Sequence, residues 1–182
     1  MIRKAISRRL LRRFERHTPQ VFRRRQLQIL ADLAAGSFGR SPIRISKGYP
    51  ARGLREYAAY TVSCMETGPA DPDRLFRDAA DLGARIRRAS GLTDPEDLQR
   101  LVFLLYRNIG ITMTGELPGQ IDVPVCYFSR YYTPQQCALM SCVDSGIVSG
   151  IFGGGHLAFS QRITEGCDRC KACFCKEERD HE

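Results

Sequence analysis

CVDSGIVSGIFGGGHLAFSQRITEGCDRCKACFC, residues 142–175, changes character twice along its length. Its first part continues a helix that Thr133 caps and Pro134 opens, and that runs to about Ser149. Gly153-Gly154-Gly155 ends the helix at a tight corner. From His156 to Thr164, Leu157 and Phe159 alternate with Ala158 and Ser160, the period of a half-buried strand. Gly166–Arg169 reads as a turn, and Lys171–Cys175 as a last short strand. The tail that follows, KEERDHE, is polar. Just upstream, Ile111–Gly115 and Asp122–Phe128 read as two more strands around a turn at Leu117-Pro118-Gly119.

Everything before Ile111 has helical periodicity. Leu54, Tyr57, Ala58, Thr61, Val62 and Met65 share one face, with Cys64 beside them as a small core residue. Leu75, Ala79, Leu82, Ile86 and Ala89 form a second stripe, with Asp71-Pro72 at its start and Gly91 at its end. A third helix opens with Thr93 as cap and Pro95 just inside, and its broadly apolar surface predicts the central buried helix. These stripes read as packing surfaces. Nearer the N-terminus, Ile2, Ile6, Leu10 and Phe14 recur every four positions, and a further helix spans Pro19 to about Ala35. Residues 36–53, rich in Gly and Pro, read as a loop and as an internal boundary. The predicted class is therefore α+β, a helical N-terminal half packed on a small C-terminal antiparallel sheet with one further helix. The predicted organisation is a basic helical arm over 1–35 and one α+β domain over 36–182, with helices over about 54–109 and the strand, helix and hairpin module over about 111–175.

The chain has 182 residues, ample for one hydrophobic core, and a net charge of +8. That charge is local: residues 1–30 hold ten Lys or Arg against the single acid Glu15, and the remainder sums to about −1. Such an arm fits a solvated helical face, a helix on an anionic membrane, a targeting segment or a nucleic-acid contact. Aromatics are not interleaved with its arginines as base stacking requires, which argues against nucleic acid. No run reaches the ~18 apolar residues of a membrane span, and no apolar signal core opens the chain, so a cytoplasmic protein is expected. Eight cysteines in that setting point to thiols or metal ligands rather than disulfides.

Chemistry concentrates in the last forty residues. Cys167, Cys170, Cys173 and Cys175 are dense enough to bind zinc or an iron–sulfur cluster, and equally fit reduced thiols in a hairpin or a redox pair. On a strand Cys173 and Cys175 share a face that Cys170 does not, so all four converge only if the segment is irregular. Cys137 or Cys142 could complete such a site from the helix. Cys142 and Asp144 offer a nucleophile and a proton carrier, though two positions turn ~200° around a helix and set them apart. Arg162 can hold a carboxylate, with Thr164 and Glu165 beside it. Gly153-Gly154-Gly155-His156 lacks the Lys-Ser/Thr of a phosphate loop, and its His156 remains either structural or a ligand.

Taken together, Cys142-x-Asp144, the glycine corner, and Leu157-x-Phe159-x-x-Arg162-x-Thr164-x-Gly166-x-Asp168-x-Cys170 with Phe174 closing resemble the C-terminal signature of the L-2-amino-thiazoline-4-carboxylic acid hydrolase family. The resemblance implies an α+β fold related to 4-vinyl-reductase-type small-ligand domains, in a bacterial cytoplasmic protein. It implies hydrolytic opening of a small heterocyclic, amino-acid-derived substrate at a C–N bond of a cyclic amidine. Cys142, Asp144, Arg162, Thr164, Asp168 and Cys170 would form the site. The resulting expectation has Arg162, His156 and Asp168 binding substrate. Cys142 or Cys170 would be nucleophile or metal ligand, and Asp144 or Glu165 would carry the proton. The alternative expectation is a non-enzymatic, cysteine-rich metal-binding module that senses a small ligand or acts in redox chemistry.

Overall fold

The computed structural model describes residues 2–48, 50–67 and 70–175; the polar tail lies outside them, as do the side chains of residues 2–6. Six helices, α1 (Ile2–Arg16), α2 (Gln20–Phe38), α3 (Pro50–Glu66), α4 (Pro72–Ser90), α5 (Pro95–Asn108) and α6 (Pro134–Phe152), accompany four strands, β1 (Ile111–Gly115), β2 (Gly119–Cys126), β3 (His156–Gln161) and β4 (Cys170–Cys175). The fold is α+β, as its periodicities predict. The strands form one antiparallel sheet in the order β1-β2-β4-β3.

Several boundaries differ from the sequence expectation, each for a local reason. Gly36 does not stop α2. The stop is Gly39, whose φ of 65° lets its N–H donate back to Ala35 and Gly36. The expected loop over 36–53 therefore shrinks to the residues between α2 and α3. At the start of α5 the cap is Asp94, not Thr93: Asp94 Oδ1 accepts from Glu96 N at 3.0 Å. β2 runs from Gly119 to Cys126 and gives way to a 3-10 turn over Tyr127–Arg130. Its Pro124 is tolerated because pairing with β4 ends at Val123 and the β1 register shifts just there. β3 ends at Gln161, and a 3-10 turn over Ile163–Glu165 replaces the rest of the expected strand.

The most enclosed helix is α6, not α5. It starts with a full capping box, Gln136 N donating to Thr133 Oγ1 at 3.2 Å and Thr133 N to Gln136 Oε1 at 3.0 Å. One side packs on α4 and another on β3. On the α4 side backbone lies directly against the glycines, with only the Ala79 methyl beside Gly146. A Cβ added at Gly150 would lie 2.0 Å from the Ala80 carbonyl oxygen, one at Gly146 2.4 Å from that of Phe76, and one at Gly83 2.3 Å from that of Ile147. The two helices meet backbone to backbone.

α1 lies along α5 in the same direction. Arg8 bridges Asp94 and Asp97 at the start of α5, and Arg107 near its end donates to the Glu15 carbonyl at 2.7 Å. The Phe14 and Phe22 rings, 5.2 Å apart, join α1 to α2. Leu11, Leu27 and Leu30 are buried in the common core, so both basic helices are built into the fold.

Candidate functional site

The stripes of α1, α2, α4 and α5 do not close completely on one another. They enclose, with α6 and the Cys126–Tyr132 segment, a cavity of about 550 Å³, within the range of pockets that bind small molecules. Leucines, isoleucines and phenylalanines supply most of its wall. The exposed wall residues, Leu10, Arg25, Ile29 and Ala89, lie on α1, α2 and the end of α4, so the cavity opens there.

Polar chemistry gathers at the other end, where Tyr57, Tyr106, Tyr132, Cys126, Cys137 and Asp144 line the wall. Among the described residues Asp144 is the only acid on that wall. Asp144 is half-buried, and desolvation of its carboxyl pushes its pKa up from 3.8 to about 6 against the lowering effect of the Tyr106 hydroxyl. Tyr106 also donates to the Asp144 backbone carbonyl at 3.3 Å. Tyr132 and Thr61 share a hydroxyl–hydroxyl bond of 2.7 Å. Burial raises Tyr57, Tyr106 and Tyr132, so all three stay neutral donors at physiological pH. Burial pushes the Cys126 thiol up to about 12 and raises Cys137, Cys142 and Cys170 as well, which keeps them thiols rather than thiolates.

A second group stands beside the cavity at Cys137, where the turn over Ile163–Glu165 meets α6. Thr164 lies next to the Cys137 thiol and lowers its pKa, although Thr164 Oγ1 is buried without a well-formed hydrogen bond. The Arg162 guanidinium lies over the Phe159 ring at 5.0 Å and reaches Glu165 at 3.4 Å, while its buried Nε has no partner among the described residues. Ile163 N donates to Cys170 Sγ at 3.4 Å. Arg162, Thr164, Glu165 and Cys170 thus come together, next to the Asp144 end of the cavity but outside its wall. Cys142 does not line the cavity, as its ~200° separation from Asp144 on the helix predicts.

The other sequence candidates lie apart from both groups. His156 is on the outer face of the sheet, opposite Cys175. Asp168 is exposed and paired with Arg169 at 3.0 Å, which holds its carboxyl below the usual range. Cys170 points into the core, whereas Cys173 and Cys175 face outward with their sulfurs 3.5 Å apart, because successive strand residues alternate. The four clustered cysteines therefore do not converge, and among the described residues no three His, Cys, Asp or Glu are arranged to hold a metal ion.

Cavity residues Tyr57, Tyr106, Tyr132 and Cys126 escaped sequence reasoning. The signal was present, a tyrosine hydroxyl on each of two largely apolar helices, Tyr57 on α3 and Tyr106 on α5, but a stripe looks the same whether it meets a neighbour or a void. Fold and geometry together define a class, an α+β protein with a ligand-sized apolar cavity whose wall, among the described residues, carries a single, half-buried acid. No protein-family model matches the chain, and no curated protein or solved structure matches it. The likeness of residues 142–174 to the thiazoline-carboxylate hydrolases is a likeness of motif alone.

Proposed function

We propose that this protein binds a small, largely apolar organic cation in the cavity, with an amine or amidine end against Asp144 and its apolar body toward the mouth. One observation carries the reading: a carboxyl with no cationic partner among the described residues faces a space of about 550 Å³ that is otherwise mostly hydrocarbon. An unpaired ionised acid in such a place is costly, and a cationic ligand removes that cost. The three neutral phenols can orient the same polar end. Eight free cysteines fit a reducing compartment such as the cytoplasm.

Titration calorimetry with decylamine and a para-alkylbenzamidine tests the proposal. Both should bind at pH 7.5 and weaken about tenfold for each pH unit below 6, as Asp144 takes up a proton. Asp144→Asn should abolish the pH dependence and most of the affinity. Equal binding by that variant, or none by the wild type, would sink the idea.

A second reading is hydrolysis of a cyclic amidine, favoured by an acid poised near neutral pH beside Arg162 and Thr164. Asp144 would take a proton from water as the water oxygen bonds to the amidine carbon, then return it to the nitrogen that leaves. Since Cys142 and Cys170 are off the cavity wall and their thiols are raised, water is the nucleophile in this scheme. It requires turnover of 2-amino-thiazoline-4-carboxylate or a related ring by wild type and by Cys170→Ser, with Asp144→Asn silent. Turnover that survives in Asp144→Asn refutes it.

A further inference from the structure

The mouth of the cavity lies in the most basic part of the chain. Arg9, Arg12, Arg13 and Arg16 stand exposed on α1 and make no ion pair among the described residues, and Arg25 on α2 lines the opening. Glu15 is the single acid of residues 1–30, and the rest of the chain sums to about −1, so the positive field is one-sided. The same helices carry three of the four large exposed hydrophobic residues found among the described ones: Leu10 at 47%, Val21 at 70% and Ile29 at 41%. Leu10 and Ile29 are at once exposed and part of the cavity wall. Aliphatic side chains standing among arginines suit the boundary between phosphate headgroups and acyl chains. They do not suit nucleic acid, for the aromatics of this segment, Phe14 and Phe22, are packed on each other and half-buried.

We propose that the face formed by α1 and α2 docks on an anionic phospholipid bilayer, arginines on the lipid phosphates and Leu10, Val21 and Ile29 in the interfacial layer. The cavity then opens onto the membrane rather than onto water. The docking goes beyond the ligand reading and stands without it.

The test is co-sedimentation of the full chain with phosphatidylcholine vesicles, with and without phosphatidylglycerol. Binding should require phosphatidylglycerol and weaken with salt. At about 1 kcal/mol for each arginine at the surface, the triple substitution Arg9→Gln, Arg12→Gln, Arg13→Gln should lower partitioning roughly a hundredfold. These side chains are exposed, so the variant should keep its circular dichroism spectrum and melting temperature. Val21→Ser should lower partitioning a fewfold at unchanged charge. Asp144→Asn should partition like the wild type, which separates failure of docking from failure of the ligand reading. Wild type that ignores anionic vesicles, a triple variant that binds them equally, or binding to polynucleotide but not to vesicles each overturns the proposal.

Discussion

Replacing Asp144 by Asn should make the ligand-free protein more stable at neutral pH. In the unfolded chain this carboxyl ionises near 3.8, and in the fold near 6. Below about pH 4 both states carry the proton and the group contributes nothing. Between 4 and 6 the folded state holds a proton that the unfolded state has released, so stability falls as pH rises. Above 6 the loss is complete, and the rise from 3.8 to about 6 corresponds to about 3 kcal/mol at most. For a chain of this length that is about 6–12 °C in Tm. Asn keeps the shape and removes the charge. Its amide has its own cost of burial, but that cost does not vary with pH. The diagnostic quantity is therefore the difference between the two proteins along the pH axis. Urea unfolding followed by circular dichroism from pH 4 to 8 should show the variant gaining on the wild type up to pH 6 and running parallel above it. Parallel curves across the whole range would refute the burial of a chargeable Asp144.

Three further outcomes follow from the packing. Gly150→Ala should destabilise the fold by about 3 kcal/mol or more, since the new methyl would sit on the Ala80 carbonyl and both helices would have to part; a chemical melt within 0.5 kcal/mol of wild type would contradict so close a contact. Thr133→Ala should cost about 1 kcal/mol through loss of the capping box, read as a lower urea midpoint with unchanged slope. Under native conditions at pH 8 a maleimide reagent should label Cys175 first, with Cys64 and Cys170 protected until the protein unfolds; mass spectrometry of tryptic peptides checks the order, and early labelling of Cys170 would contradict its inward orientation.

Helix caps and strand alternation carried most of the fold into view from the sequence. Asp71, Gly91, Thr133 and Gly153 stand where helices α4 and α6 begin and end, because each performs a local task that needs no partner elsewhere. The outward pairing of Cys173 with Cys175, against an inward Cys170, likewise follows from the two-residue period alone. Thr93 failed as a cap because Asp94, a stronger acceptor one residue closer, was available. The rank of α6 as most enclosed helix was hidden by its serines and glycines, which look polar or weak in isolation but permit contact with α4. Of the candidate residues, Asp144, Arg162, Thr164 and Cys170 lie near one another, whereas the density of cysteines at 167–175 drew attention to a segment whose side chains diverge. A void cannot be read from periodicity, since it is the absence of contact between surfaces that each look ready for one.

The two walls of the cavity differ in how freely they can change. Where α6 and α4 meet at Gly146, Gly150 and Gly83, a single added methyl is obstructed by backbone, so that side holds its shape over any run of tolerated mutations. The facing wall consists of side chains such as Leu10, Phe14, Phe22 and Ile29, borne on two helices that meet the rest through side chains and a few ion pairs. Exchanges there alter the size and depth of the cavity and leave the architecture intact. Descendants of this chain can thus acquire a new ligand by substitutions confined to α1 and α2, while the acid at the closed end stays in place.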